Sequence, residues 1–338
     1  MNSILEEDIR SFNLPDDLKQ IIRGSHIIVT GATGLIGSAV VRCLHALDLN
    51  IEYIIPVRNL NKTLTLPQGN NIRYIESELA DFFRNTDIKA DYVIHCAAPT
   101  NGDYMSEHPV ETYLFLIEST KSALDYCRNA DCKGMVYLSS IECNGILTDD
   151  KAADEKRIGF IDRHSVRSSY PLGKLSAEYL CYCYAGEYKV PAKVARLTQT
   201  FGAGISKDDK RVFAQFARSA LQGRDIVLHT SGSSAKPYCY ITDAVSAIIF
   251  ILLRGVAGEV YNVATPGSYV TILELAHLFR KKVNPNIQVV TQLLENNNYA
   301  PETTVNLNPQ KLLSLGWKPE YNLEEMIVRL ANYLTNSD

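Results

Sequence analysis

The sequence predicts an α/β protein, a doubly wound parallel sheet with a smaller α/β lobe in the C-terminal third. Three observations carry this. Short apolar strands alternate with helical stretches over the first two hundred residues, at the spacing that builds a parallel sheet. The first strand runs straight into Thr30-Gly31-Ala32-Thr33-Gly34-Leu35-Ile36-Gly37 and a helix. Tyr170 and Lys174 stand four apart on a later helix, one turn from each other on one face.

In chain order, residues 1–24 read as an amphipathic helical extension, with Ile4, Ile9, Phe12, Leu18, Ile21 and Ile22 among charged residues and a break at Pro15. His26–Thr30 is the first strand. In the turn that follows, Gly31 permits the tight bend, Gly34 lets backbone approach a pyrophosphate, and Gly37 lets the helix lie close to the strand. The helix start then presents unpaired N–H groups and a positive dipole end to an anion. Gly31, Thr33, Gly34, Leu35, Ile36 and Gly37 are therefore candidate dinucleotide contacts; a purely structural turn is the alternative. A second strand, Ile51–Val57, ends at Arg58, where an acidic residue would take the ribose hydroxyls of NAD. A guanidinium there suits a 2′-phosphate, so NADP stays open beside NAD, and a solvated arginine is the alternative.

Asn71–Ile75 and Asp91–His95 are further strands. The latter leads into Cys96-Ala97-Ala98-Pro99, small residues over which a cofactor can lie, with Ala97 the candidate contact. A helix over about 109–129 precedes the strand Gly134–Leu138 and the pair Ser139-Ser140. Residues 145–167 are charged and lack apolar periodicity, as a loop or lid over the site would. After the Tyr170 helix comes a strand over Val190–Arg196. The remainder mixes short strands (Ile226–His229, Val260–Val263, Ile287–Val290) with helices (Val212–Leu221, Asp243–Leu253, Ile272–Lys281, Leu323–Leu334). The expected division is a helical extension over 1–24, a cofactor domain over 25–200 and a substrate lobe over 201–338, with the lobes free to interleave.

Composition narrows the class. With 338 residues, 46% hydrophobic and 21% charged, the chain can bury a sizeable core. A net charge of −4 offers no basic footprint for nucleic acid. The longest apolar run, Ala247–Leu253, is too short for a membrane helix. Glu6, Glu7 and Asp8 do not read as a secretory signal, so a cytoplasmic location is expected. Eight cysteines show no C-x-x-C and no histidine partners, which points to reduced thiols and no metal.

The Tyr170–Lys174 pair suggests chemistry. An ammonium about 6 Å from a phenol favours the phenolate by roughly 3 kcal/mol, or about two pKa units, at an effective dielectric near 20. That would carry the tyrosine toward the range of a useful general base. Packing plus a solvated lysine is the commoner meaning of such a pair.

The motifs together resemble the extended short-chain dehydrogenase/reductase superfamily. Thr30–Gly37 resembles its TGxxGxxG fingerprint, Tyr170-x-x-x-Lys174 its YxxxK pair, and Ser139-Ser140 the position of its Ser/Thr. Arg196–Gly202, Gly258–Val263 and Leu315–Pro319 resemble its R-x-x-N-x-x-G, GExYNV and LGWxP signatures. Within it the chain is similar to the nucleotide-sugar epimerase/dehydratase group, and most similar to the UDP-glucuronate decarboxylases through Ala98–Pro109, Arg167–Tyr170 and Arg211–Asp243. The resemblance implies a Rossmann cofactor domain, a tightly bound and recycled NAD, a nucleotide-diphosphate sugar as substrate and oxidation at the sugar C4.

By that resemblance Tyr170 takes the C4 hydroxyl proton, Lys174 lowers the tyrosine pKa and holds the nicotinamide ribose, and Ser140 hydrogen-bonds the C4 oxygen. Both Tyr170 and Lys174 thereby also contact the cofactor. Glu142 would take the proton in the following step, while a salt bridge to the 145–167 loop is its alternative role. Ile141 stands where a 4,6-dehydratase carries an acid, which disfavours dehydration. Substrate contacts are implied for Thr100, Gln199, Arg211, Val212 and Lys236, with Gln199 replacing an asparagine and Lys236 an arginine. A homodimer through helices near 106–130 and 170–189 is implied as well. The rival functions are a net NADPH-dependent reductase of a keto-sugar or small ketone, and a non-catalytic dinucleotide-sensing protein.

Overall fold

The computed structural model describes residues 3–149, 151–293 and 303–335. Asp150 of the charged stretch and the outermost residues of the expected extension and lobe lie outside them. The extension forms α1 (Ser3–Ser11) and α2 (Asp16–Ile22), with Pro15 at the N-cap of the second. Leu18 and Ile22 enter the main core. Asp8 is buried as well, where it accepts the Tyr240 hydroxyl at 2.6 Å and Arg329 Nε at 2.8 Å.

The first six strands are β1 (His26–Thr30), β2 (Glu52–Val57), β3 (Ile72–Glu76), β4 (Tyr92–His95), β5 (Gly134–Ser140) and β6 (Ala192–Leu197). Among them run α3 (Leu35–Ala46), α4 (Leu79–Asn85), α5 (Gly102–Glu107), α6 (Pro109–Asn129) and α7 (Ser169–Tyr188). Beyond β6 come β7 (Gln199–Phe201), α8 (Val212–Leu221), β8 (Ile226–Leu228), β9 (Ala235–Lys236), β10 (Tyr238–Tyr240) and α9 (Ile241–Arg254). The described chain finishes with β11 (Val260–Val263), β12 (Val270–Thr271), α10 (Ile272–Lys282), β13 (Val289–Thr291), α11 (Gln310–Leu313) and α12 (Leu323–Thr335).

Seven strands form one parallel sheet in the order β11-β6-β5-β4-β1-β2-β3. The chain builds outward from β1 through β2 and β3, then crosses to the other side for β4. That reversal opens a crevice at the carboxyl ends of β1 and β4, where ligands of such sheets bind. Ile27, Ile28 and Val29 are all fully buried, as a strand covered on both faces requires. One cover packs Phe82, Phe83, Leu124, Cys127, Ala177 and Cys181 of α4, α6 and α7 against Val93, Met135 and Tyr137. The opposite cover packs α2, α3 and α9 on the alternate residues, including Val29 and Val136.

Val260–Val263 returns to the large sheet as its edge strand beside β6. Residues beyond 200 thus serve the sheet as well as the smaller lobe. The lobe has its own core, Phe213, Phe216, Leu275, Phe279, Met326 and Ile327 from α8, α10 and α12. The Leu315–Pro319 stretch is a clasp between the two. Trp317 Nε1 donates to Ser246 Oγ at 2.9 Å, and Asp243 accepts the backbone N–H of Glu320 at 2.8 Å. All eight cysteines are free thiols. Among the described residues no helix is long and apolar enough to cross a membrane.

Candidate active site

The glycine turn sits at the β1/β4 crevice. Gly31 has φ +65°, in the left-handed region, and a Cβ there would stand 2.8 Å from the Ala97 backbone. A Cβ on Gly37 would meet the Gly31 carbonyl oxygen at 2.4 Å. Neither contact tolerates a side chain, so both positions demand glycine on steric grounds. Gly34 caps α3 in an extended conformation, and its N–H donates to the Gly31 carbonyl at 3.0 Å. Thr33 and Gly34 are exposed and Leu35 and Ile36 half-buried, so the start of α3 opens to solvent. Below it Thr30 Oγ1 accepts the Ala97 N–H at 3.1 Å and lies 2.8 Å from His95 Nδ1. Arg58 is exposed at the end of β2. The glycines let the turn lie tight against Ala97 and the start of α3 against the turn, and that open helix start fits a dinucleotide pyrophosphate that Gly31, Thr33, Gly34, Leu35, Ile36 and Gly37 could hold, with Ala97 beside it.

Tyr170 and Lys174 lie in the first two turns of α7, with Pro171 in the first, where its missing N–H costs nothing. Both side chains are buried. Ser140 ends β5 directly opposite. Its Oγ accepts the Glu142 N–H at 3.2 Å, and the hydroxyl lies near enough to the Tyr170 oxygen to favour the phenolate. The expected triad of Ser140, Tyr170 and Lys174 is thus brought together at the carboxyl edge of the sheet.

Electrostatically the site differs from expectation. Burial pushes the Tyr170 phenol above its ordinary value, and the charge of Glu142 and the neighbouring Cys143 add to the rise, against smaller opposing effects of Ser140 and Arg167. The amine does not offset this. Lys174 Nζ donates to the Leu138 carbonyl at 2.5 Å and stands 5.8 Å from the Tyr170 ring centroid. Burial brings its own pKa down to about 8. Spacing puts the two groups on one helix face, but the carbonyl at the end of β5 decides where the ammonium points.

Glu142 lies in the short 3₁₀ turn Ile141–Asn144 after β5. It is paired with Arg167, whose Nη2 lies 3.0 Å from one carboxylate oxygen and 3.2 Å from the other. The salt bridge to the charged loop is therefore present, with Glu142 still close enough to Tyr170 to raise its pKa. Ser139 takes no part in the site. Its Oγ donates to Glu178 Oε1 at 2.5 Å, and Glu178 is held by Arg196 at 2.6 and 3.1 Å.

The remaining candidates other than Thr100 follow β6 in the chain. Gln199 opens β7, and its register partner Tyr238 lies two residues beyond Lys236 of β9. Arg211 precedes Val212, the first residue of α8. Its Nη1 donates to the Thr200 carbonyl at 3.0 Å, and its Nη2 is tied to Asp209 at 2.6 Å. Thr100 is exposed ahead of α5, which a Lys210–Asp103 pair at 3.2 Å links to the loop before α8. Arg211 thus meets β7, which Gln199 opens, and Lys210 beside it meets α5, just after Thr100.

Two partners were not assigned from sequence. Glu178 lies one helical turn beyond Lys174, and that i, i+4, i+8 face was the available signal. His95 is buried beside Thr30 with Nε2 unpartnered among the described residues, and burial, with Lys174, draws its pKa down to about 3.

A sequence profile of the NAD dependent epimerase/dehydratase family matches residues 27–264. The UDP-glucuronic acid decarboxylase 3 of Arabidopsis thaliana is 26% identical over 307 residues, 88% of this chain and 86% of the relative. The UDP-glucuronic acid decarboxylase 1 of Danio rerio is also 26% identical, over 91% of this chain and 72% of its own. In fold, the chain resembles the UDP-glucose 4-epimerase of Thermotoga maritima, solved with UDP-glucose (TM-score 0.79, 22% identity, 92% and 99% of the two chains). It also resembles the dTDP-glucose 4,6-dehydratase of Bacillus anthracis, solved with NAD (TM-score 0.76, 20% identity, 93% and 97%).

Proposed function

From the premise that the chain belongs to the NAD dependent epimerase/dehydratase family, an enzyme family whose cofactor is NAD, we propose that it oxidises a nucleotide-diphosphate sugar at C4 and then does proton or CO2 chemistry on the 4-keto sugar. The observation that carries this reading is the convergence of Ser140, at the end of β5, with Tyr170 and Lys174, in the first turns of α7, at the sheet edge that the glycine turn also reaches.

When bound, NAD supplies the acceptor for the C4 hydride and returns it at the end, so none is consumed. Gly31, Thr33, Gly34, Leu35, Ile36, Gly37 and Ala97 would hold it with Lys174, and Arg58 also admits a 2′-phosphate. Tyr170 takes the proton of the C4 hydroxyl, and Ser140 donates a hydrogen bond to the same oxygen. Their burial excludes water from the reacting alcohol. A ketone at C4 acidifies the C5 hydrogen, and it lets the C5–C6 bond of a C6 carboxylate break with the electron pair passing to the enolate. Glu142 is the group placed to move a proton at C5. Ile141 carries no proton to give a departing hydroxyl, so epimerisation or decarboxylation is favoured over dehydration.

The sugar nucleotide would lie across the cleft, its diphosphate by Arg211, Val212 and Lys236, with Gln199 and Thr100 at the walls. Lys236 gives a point charge without the two-pronged fork of an arginine. A second copy would pair through α6 and α7, whose outer faces expose Val110, Leu114, Tyr179 and Tyr182.

The test is incubation with UDP-, dTDP-, GDP- and CDP-sugars, with products read by mass and NMR and the protein's own mass by sedimentation. Expected are a product lighter by CO2 or an isomer of unchanged mass, no net NADH, and a two-chain particle. Arg58 favours one rival, a net NADPH reductase, and stoichiometric loss of 340-nm absorbance would establish it. Turnover of no sugar nucleotide would overturn the proposal.

A further inference from the structure

Arg167 occupies a place that the C4 chemistry leaves unexplained. It lies in the 3₁₀ turn Val166–Ser168, just before α7, with its Cζ 5.6 Å from the centroid of the Tyr170 ring. Its Nη2 reaches both oxygens of Glu142, 25 residues earlier in the chain. Nη1 is buried and has no partner among the described residues, so Glu142 is the anion that holds this guanidinium. The pair is half-exposed, and such pairs add little to stability. What sets it apart is that both charges act on one phenol.

We infer that Arg167 is a positioning residue: it fixes Glu142 beside Tyr170 and offsets part of the charge that Glu142 brings to the phenol. The inference rests on the reading of Tyr170 as the proton acceptor at C4. A carboxylate near a phenol resists its ionisation, whereas a guanidinium over the ring favours it. Held together, the two act on the phenol in opposite senses, so Glu142 can serve the later proton step at a smaller cost to the first.

The other groups facing Tyr170 do not take over this role. Cys143, from the turn after β5, opposes ionisation, and Ser140 at the end of β5 supports it. Tyr137 of β5 is buried and held protonated. Lys174, one turn along α7, has its ammonium on the Leu138 carbonyl. Arg167 is thus the cation left to balance Glu142.

The test places 3,5-difluorotyrosine at position 170 of the full chain by genetic encoding and titrates it by fluorine NMR. In R167Q the phenol should titrate about one unit higher than in the parent. R167K should restore most of the shift, and E142Q/R167Q should titrate at or below the parent value because the larger, opposing effect of Glu142 leaves with that of Arg167. In turnover, the acid limb of the kcat/KM pH profile should move alkaline in R167Q with natural tyrosine in place. An unmoved titration in R167Q overturns the inference, as does a double variant that stays as high as R167Q or an acid limb that stays where it was. The titration needs no substrate. If Tyr170→Phe still turns over while R167Q shifts the phenol, the C4 reading fails and the charge balance stands.

Discussion

Two arginine–glutamate pairs flank the end of β5, one at each of its neighbouring serines. Ser139 faces Glu178 and Arg196, which are 5% and 1% exposed. Ser140 faces Tyr170 and the turn that carries Glu142, whose pair with Arg167 is 33% and 40% exposed. Successive residues of a strand point to opposite sides, so one step along the chain separates the two environments. In the first, both glutamate oxygens are taken by arginine nitrogens and one by the serine as well. Burial closes that carboxylate to a ligand. In the second, one arginine nitrogen spans both oxygens and the carboxylate still meets solvent. Two chemically identical pairs therefore divide by burial, the dry one closed to any ligand and the wet one open to solvent.

The sharpest break of that comparison is on the Ser140 side. Tyr170→Phe removes one oxygen and little packing. Turnover should fall by about 10²–10⁴ or more, the range of general acid–base contributions, with cofactor retention and melting temperature close to the parent. Activity within tenfold of the parent would refute the base assignment.

On the Ser139 side the loss should be in stability. Arg196→Met leaves Glu178 charged and unpaired in the interior, which costs about 3–5 kcal/mol. Arg167→Met should cost at most about 1 kcal/mol, because its partner stays in contact with water. Urea midpoints of the two variants measure the contrast. Equal losses would mean that burial does not separate the pairs.

The sheet was legible because parallel strands covered on both faces read as short apolar runs. The glycine turn was legible because Gly31 and Gly37 meet backbone that no side chain could share. Other features depend on what tertiary structure brings together. Val260–Val263 looks like any short strand, and its place beside β6 is set by the path of α9. Leu79–Asn85 spans only seven residues, too few for a periodic signal. A salt bridge from Glu142 to the 145–167 loop is expected as its alternative role, but which residue of the loop takes it, Arg167, 25 residues on, lies beyond any local spacing rule. Spacing located Tyr170 and Lys174 but not their electrostatics, since the depth of burial and the Leu138 carbonyl belong to the folded chain.

Lys174 completes the comparison, as a buried charge with no carboxylate paired to it. Its ammonium is held by one backbone carbonyl, and burial draws its pKa from 10.5 to about 8. Between those values the unfolded chain binds more protons than the folded one, so stability rises with pH across the window. Below about 8 the folded protein bears the whole desolvation cost. At pH 7, Lys174→Met should therefore stabilise the protein by on the order of 1–2 kcal/mol, the desolvation relieved less the hydrogen bond to Leu138. The gain should shrink as pH approaches 10.5, where the parent lysine is losing its proton in both states. Urea midpoints at pH 7 and pH 10 test this. A variant less stable than the parent at pH 7, or a difference independent of pH, would show that the ammonium is well satisfied where it lies. The expected result marks the lysine as a strained group, kept at the site against the preference of the fold, whereas Arg196 is kept by that preference.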